Sequence, residues 1–145
     1  MPIRQVTPEE AQQLIDSGYR YIDVRTAGEF AAGHPRSAVN IPVALPDPAT
    51  GQMAMNPDFL PVVGAHFPAA TKIIVGCQSG MRSQRAAEAL VQAGYTEVLN
   101  MQGGFGGARD QQGRTLVPGW GDCGLPVCTD CGPENSFAGL RRAVS

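Results

Sequence analysis

No apolar run in this chain exceeds a few residues, whereas a helix that crosses a bilayer needs roughly 20. Membrane-spanning helices are therefore not expected. Charge is scarce as well: 17% of residues are charged and the net charge is -2, with neither a block of basic residues that would grip nucleic acid nor an acidic tract that would stay unfolded. The N-terminal stretch MPIRQVTPEE lacks the apolar centre of a secretory leader, so we expect a cytoplasmic protein with neither nucleic acid nor membrane among its partners. Internal repeats are missing. The four cysteines are Cys77, alone in mid-chain, and Cys123, Cys128 and Cys131, crowded near the C-terminus. That spacing does not suit a disulfide framework, and free thiols are expected in a reducing compartment. Three clustered cysteines without an adjacent histidine also fall short of the four ligands a structural zinc wants, so no metal and no cofactor is expected.

What remains is one domain's worth of chain: 145 residues bury roughly two-thirds of their unfolded surface. The 18 glycines and 12 prolines gather between residues 33 and 68 and again from 103 to 133, which marks those stretches as loops. Thr7-Pro8-Glu9-Glu10 is a helix start with a capping box, followed by Ala11, Leu14 and Ile15 on one face and Gly18 as terminator. A strand over 19–24, one or two helical turns over 26–32 and a short strand AVNIP come next. Residues 42–56 show no periodicity. A helix follows, with Phe59, Leu60, Val63 and Phe67 on one side and Pro61 against it. Lys72 to Gly76 is a strand, Ser83 to Ala93 a helix closed by Gly94, and EVLNM another strand. Strands alternating with helices predict an α/β fold with a mainly parallel central sheet flanked by helices on both faces, whose ligand sites lie beyond the carboxyl ends of strands.

Cys77 stands at such an end. The stretch Cys77-Gln78-Ser79-Gly80-Met81-Arg82 lies between the strand and the helix, so its backbone is expected to curl with amides facing the sulfur, a nest that favours an anion. The helix N-terminus and Arg82, if turned inward, add positive charge, and Gly80 permits a left-handed backbone. A plain buried cysteine followed by a turn is the alternative. For Asp23 and Arg25, at the end of the preceding strand, the choice lies between a partly buried support pair and a surface ion pair worth little. His34, between Gly33 and Pro35, is assigned to packing rather than to proton transfer.

The segment IIVGCQSGMRSQRAAEALVQAGYTEVLNMQGG resembles the active-site segment of rhodanese-like sulfurtransferases. A second block is similar to the family's early signature: Asp23-Val24-Arg25, Glu29, Phe30, Gly33-His34 and Asn40-Ile41-Pro42. The resemblance implies a single rhodanese-like domain over 1–127, leaving 128–145 as a cysteine-containing tail expected to be loosely ordered apart from a short helix near Phe137 to Ala143. It implies an enzyme of the thiosulfate sulfurtransferase class, in which Cys77 takes a sulfane sulfur from a small-molecule donor such as thiosulfate. The Cys77 persulfide then passes that sulfur to cyanide, a thiol or a protein acceptor. Gln78, Ser79, Gly80 and Met81 would bind substrate, with Ser79 donating to the anionic sulfur and Arg82 stabilising charge. Two departures stand out: Pro35 and Ser37 replace an aliphatic residue and a glycine, and Met81 stands where thiosulfate-using relatives often carry a basic side chain. The rival class is a non-catalytic sulfide carrier or protein-interaction module of the same type. A Cys-dependent phosphatase or arsenate reductase is disfavoured, because Cys77 to Arg82 is Cys-x4-Arg and phosphatases use one residue more to encircle phosphate. The three C-terminal cysteines are read as a sulfur-accepting relay, a disulfide or idle thiols, with the last preferred.

Overall fold

Five parallel strands carry the fold in the computed structural model, which describes residues 3–130, 132 and 134–143. In chain order the elements are β1 (Arg4–Val6), α1 (Pro8–Asp16), β2 (Arg20–Asp23), α2 (Ala27–Ala32), β3 (His34–Pro35), β4 (Ala38–Asn40), β5 (Ala44–Pro46), β6 (Met53–Met55), α3 (Phe59–His66), β7 (Lys72–Gly76), α4 (Met81–Gln92), β8 (Glu97–Met101), β9 (Ala108–Arg109), β10 (Thr115–Val117), β11 (Val127–Cys128) and α5 (Phe137–Arg142). The central sheet runs β1-β8-β7-β2-β4, and every pairing in it is parallel.

Side chains alternate along each strand, and the alternation sorts the core into two clusters. Ile22, Ile73, Val75 and Val98 face Phe59, Val62 and Val63 of α3 and Ala86, Ala87 and Leu90 of α4. Tyr21, Ile74, Leu99 and Met101 face the other way, onto Ala11 of α1, Phe30 of α2 and Trp120. A shift of one residue in any strand would exchange the two sets, so burial of both faces pins the register. Helices thus cover both faces of the sheet, as the pattern of elements predicts.

Local chemistry explains the helix starts. Thr7 and Glu10 form the capping box that opens α1, and Thr26 and Glu29 form a second one that opens α2. Pro61 is tolerated in α3 because it falls in the first turn, where its missing amide has no intrahelical partner to lose. Since α3 starts at Phe59, its inward stripe is Phe59, Val62, Val63 and then Phe67; Leu60 is turned off that stripe and is 40% exposed, contrary to expectation.

Three further features depart from the sequence reading. Strand β1 is missed because only Val6 of its three residues is buried. Residues 42–56 contain an antiparallel hairpin, β5 with β6, and a second hairpin, β9 with β10, follows the glycine-rich loop. Both are short and largely exposed, so neither carries a burial period. The stretch from Cys128 onward, set apart above as a tail, begins inside β11, which pairs with β3. Its helix α5 places Leu140, 5% exposed, in the α3 and α4 cluster, while His66 bonds the Leu140 carbonyl at 2.9 Å and Arg141 pairs with Asp58 at 3.0 Å.

Candidate active site

Parity along β7 decides where the cysteine goes. Ile73 and Val75 face α4, so Cys77, two residues further, faces α4 as well, and it lies 1% exposed within that cluster. The chain then turns sharply. Gly80 has φ of +110°, in the left-handed region that its missing side chain allows, and it caps α4, which starts at Met81 rather than at Ser83. Its N–H donates to Cys77 Sγ at 3.0 Å. A second group reaches the sulfur: the Ser83 hydroxyl oxygen, at 3.4 Å and fully buried. The hydroxyl near the sulfur is thus that of Ser83, on the first turn of α4, whereas Ser79 is exposed. Gln78 is exposed as well, and Met81 projects into solvent at 75% exposure.

A glycine-rich loop backs the cysteine from the other side. Phe105 N–H donates to the Cys77 carbonyl at 2.7 Å and Gly106 N–H to the Gln78 carbonyl at 2.9 Å. Gly104, with φ of +58°, lies so close that a Cβ there would sit 2.3 Å from the Cys77 carbonyl oxygen. That loop is itself held by the chain after β10: Trp120 N–H donates to the Gly104 carbonyl at 2.8 Å and Gly121 N–H to that of Phe105 at 3.2 Å. Trp120 is 1% exposed and gives its indole N–H to the Pro126 carbonyl.

Asp23 and Arg25 form a buried ion pair, 1% and 3% exposed, closed at 2.8 Å. Arg25 also donates to the Gly33 carbonyl at 2.6 Å and to Gln78 Oε1 at 3.2 Å, and its guanidinium lies over the Phe105 ring at 4.6 Å. One side chain thereby ties β2, the chain entering β3, the cysteine loop and the glycine-rich loop together. Arg82 makes a bidentate pair with Glu29 of α2, at 2.8 and 3.0 Å, rather than bonding the sulfur. The Arg82 guanidinium and then the Thr26 amide hold the Glu29 carboxyl down at about 2 against the opposing effect of burial. Glu29 is a site residue that sequence reasoning named only as part of a signature; its capping box with Thr26, which aims the carboxylate, was the available signal. Arg25, Glu29, Ala32, Gly33, Gln78 and Phe105 line an open cleft of about 480 Å³ beside the loop. His34 is fully buried, stacked on Phe30 with ring centroids 3.6 Å apart, and its Nδ1 donates to the Phe30 carbonyl, which is a packing role.

Among the described residues, the groups that reach the Cys77 sulfur are the Gly80 amide and the Ser83 hydroxyl, and neither Cys123 nor Cys128 is one of them. Cys77, Cys123 and Cys128 are free, and Cys131 lies outside the described residues. Burial and then the Glu9 carboxylate push the Cys123 thiol up from its ordinary value, which works against its acting as a nucleophile. Among the described residues no group of three metal-ligating side chains comes together, and no helix is long and apolar enough to cross a membrane.

Residues 7–110 match the family model of the rhodanese-like domain. This chain belongs to that family. Thiosulfate sulfurtransferase 16, chloroplastic, of Arabidopsis thaliana is 45% identical over 95 residues, which cover 66% of this chain and 78% of that protein. Rhodanese-like domain-containing protein 15, chloroplastic, of the same plant is 42% identical over 95 residues, again 66% of this chain but only 51% of its own length. The crystal structure of Rv0390 from M. tuberculosis superposes with a TM-score of 0.72 at 28% identity, covering 90% of this chain and all of that one. Sulfur transfer is the chemistry these rhodanese-like relatives support at the level of the family. The cytoplasmic expectation does not stand, because both of these plant relatives are named chloroplastic. A missing apolar leader speaks only to secretion, since organellar transit peptides are amphipathic rather than apolar.

Proposed function

We propose that this chain is a sulfurtransferase working through a persulfide on Cys77. The observation that carries the reading is the Gly80 N–H donating to Cys77 Sγ at 3.0 Å at the N-terminus of the twelve-residue helix α4, a place that favours negative charge on the sulfur. In the first half-reaction the Cys77 thiolate attacks the outer sulfur of thiosulfate; the S–S bond of the donor breaks and sulfite leaves with the bonding electron pair. In the second, cyanide or a thiolate attacks the outer sulfur of the Cys77 persulfide, leaving as thiocyanate or as a new persulfide and restoring the thiolate. Because Cys77 is 1% exposed, a donor reaches its sulfur end-on with a single atom.

Charge in the cleft bears on which donor fits. Arg25 is neutralised by Asp23 and Arg82 by Glu29, and Met81 brings no cation to the entrance. A dianion such as thiosulfate gains little there beyond the amide and the helix dipole, so a less charged organic persulfide is favoured as the physiological donor. The loop of four residues between Cys77 and Arg82 speaks against phosphate chemistry, which needs amide donors for three oxygens.

The test is intact-protein mass spectrometry after exposure to thiosulfate or to an organic persulfide. Wild type is expected to gain the mass of one sulfur atom and to lose it on addition of cyanide, whereas Cys77→Ser stays unlabelled. Equal labelling of Cys77→Ser would overturn the assignment. Labelling without catalytic release of thiocyanate would favour the sulfide-carrier reading.

A further inference from the structure

The buried polar network beside Cys77 has more acceptors than hydrogens. Ser83 Oγ lies 2.5 Å from Asn100 Oδ1, 3.3 Å from the Gly80 carbonyl and 3.4 Å from Cys77 Sγ, and a hydroxyl has one hydrogen to give. The orientation of Asn100 is fixed, because its Nδ2 faces three acceptors: Gln5 Oε1 at 2.8 Å, Gln84 Oε1 at 3.3 Å and the Gly80 carbonyl at 3.4 Å. Its Oδ1 therefore accepts, and Ser83 donates to it. The Ser83 lone pairs are then left toward the sulfur. Ser83 is wholly buried and Asn100 is 2% exposed, so no water stands in readily for either partner.

We propose that the Ser83 hydroxyl is a rotating donor that follows the charge on Cys77, with Asn100 as its resting acceptor. While Cys77 is a thiol, its S–H donates to Ser83 Oγ and Ser83 donates to Asn100 Oδ1. When the proton leaves for solvent, the sulfur anion would face oxygen lone pairs, and the hydroxyl turns to donate to Sγ beside the Gly80 N–H. Once the persulfide forms, charge moves to the outer sulfur and the hydroxyl returns to Asn100. No bond other than hydrogen bonds changes in these turns. Ser83 touches the reacting sulfur and acts on it directly; Asn100 is a positioning residue that competes for the same hydrogen.

The competition predicts opposite effects from two neighbours, which mere loosening of the site would not produce. Removing the donor, Ser83→Ala, leaves the anion with one hydrogen bond fewer. The pH profile of iodoacetamide alkylation, read on the Cys77 peptide by mass spectrometry, is expected to move up by about one pH unit. Ser83→Thr restores the hydroxyl and returns the profile to that of wild type. Removing the competing acceptor, Asn100→Leu, with Asn100→Ala as a second variant of smaller volume, frees the Ser83 hydrogen for the sulfur and moves the profile down. A wild-type profile in Ser83→Ala, or a shift in the same direction for Ser83→Ala and both Asn100 variants, overturns the proposal. The inference rests on sulfur transfer for its purpose but not for its test: alkylation needs no sulfur donor, so failure of the persulfide assay leaves these profiles readable, and a failed profile leaves persulfide labelling intact.

Discussion

Replacing Gly104 by alanine should cripple the cysteine loop from behind. The added Cβ would sit 2.3 Å from the Cys77 carbonyl oxygen and 2.6 Å from the Gln78 carbonyl carbon, both of them backbone atoms. Neither can swing aside as a side chain would, so the glycine-rich loop has to lift off. Lifting breaks the Phe105 to Cys77 and Gly106 to Gln78 hydrogen bonds, each worth about 1 kcal/mol. The left-handed φ of +58° adds about 1 kcal/mol for any side chain, and crowding in a packed region adds about another. A total of about 4 kcal/mol, at about 3 °C per kcal/mol for a domain of this size, lowers the melting temperature by about 12 °C. Gly113→Ala is the control, since Gly113 is also left-handed, at φ +82°, but a Cβ there meets nothing within 4 Å. It should cost about 1 kcal/mol and about 3 °C. Calorimetry on the two variants separates close approach from backbone conformation, and persulfide labelling follows the consequence for Cys77. A Gly104→Ala protein that melts with Gly113→Ala and labels like wild type would refute the packing argument.

Glu29→Gln should loosen Arg82 and change the acid limb of stability. The Glu29 carboxyl sits at about 2 in the folded chain against an ordinary 4.5, so the unfolded chain binds more protons between those values. The contribution is fully present above pH 4.5 and disappears as pH falls toward 2; with the pair about a third exposed, screening keeps it to about 1 kcal/mol. Urea unfolding at pH 7 and pH 2.5 checks this: the difference between wild type and Glu29→Gln is expected at pH 7 and should shrink at pH 2.5. For the C-terminal segment, we expect Leu140→Ala to cost about 2 kcal/mol or more, since its side chain is 5% exposed in the core. Unchanged urea unfolding would return residues beyond 128 to the status of a loose tail.

The fold was legible wherever a local signal coincided with a tertiary one. The Thr7 capping box and the short apolar runs of β2, β7 and β8 announce themselves within a few residues, and the core enforces what they announce. Strand β1 and the two hairpins were not legible, because strands of two or three residues with mostly exposed side chains have no period to read. Leu60 misled for a related reason: its hydrophobicity is plain in the sequence, but its direction depends on where α3 begins. In the C-terminal stretch, the pairing of β11 with β3, the Leu140 contact and the bonds of His66 and Arg141 all join residues far apart in the chain, so no local pattern announces them.

At the site, the cysteine loop could be read because strand, turn glycine and helix follow one another directly, so sequence neighbours are spatial neighbours. Its partners could not. Glu29 reaches Arg82 from 53 residues away and Asn100 reaches Ser83 from 17, and nothing in either residue's own neighbourhood names the other. What selects these distant partners is the register of the sheet. Asp23 pairs with Gly76 across β2 and β7, which sets Arg25 and α2 against the start of the cysteine loop; Asn100 pairs with Val75 across β7 and β8, which sets its amide under Ser83. The parity that sends Ile73 and Val75 to the α4 face also sends Cys77 there, toward the Gly80 amide and the Ser83 hydroxyl. Inserting one residue into β7 would preserve the loop's sequence and its charges while turning the sulfur to the α1 face, so the register of that strand is as much a part of the site as the thiol itself.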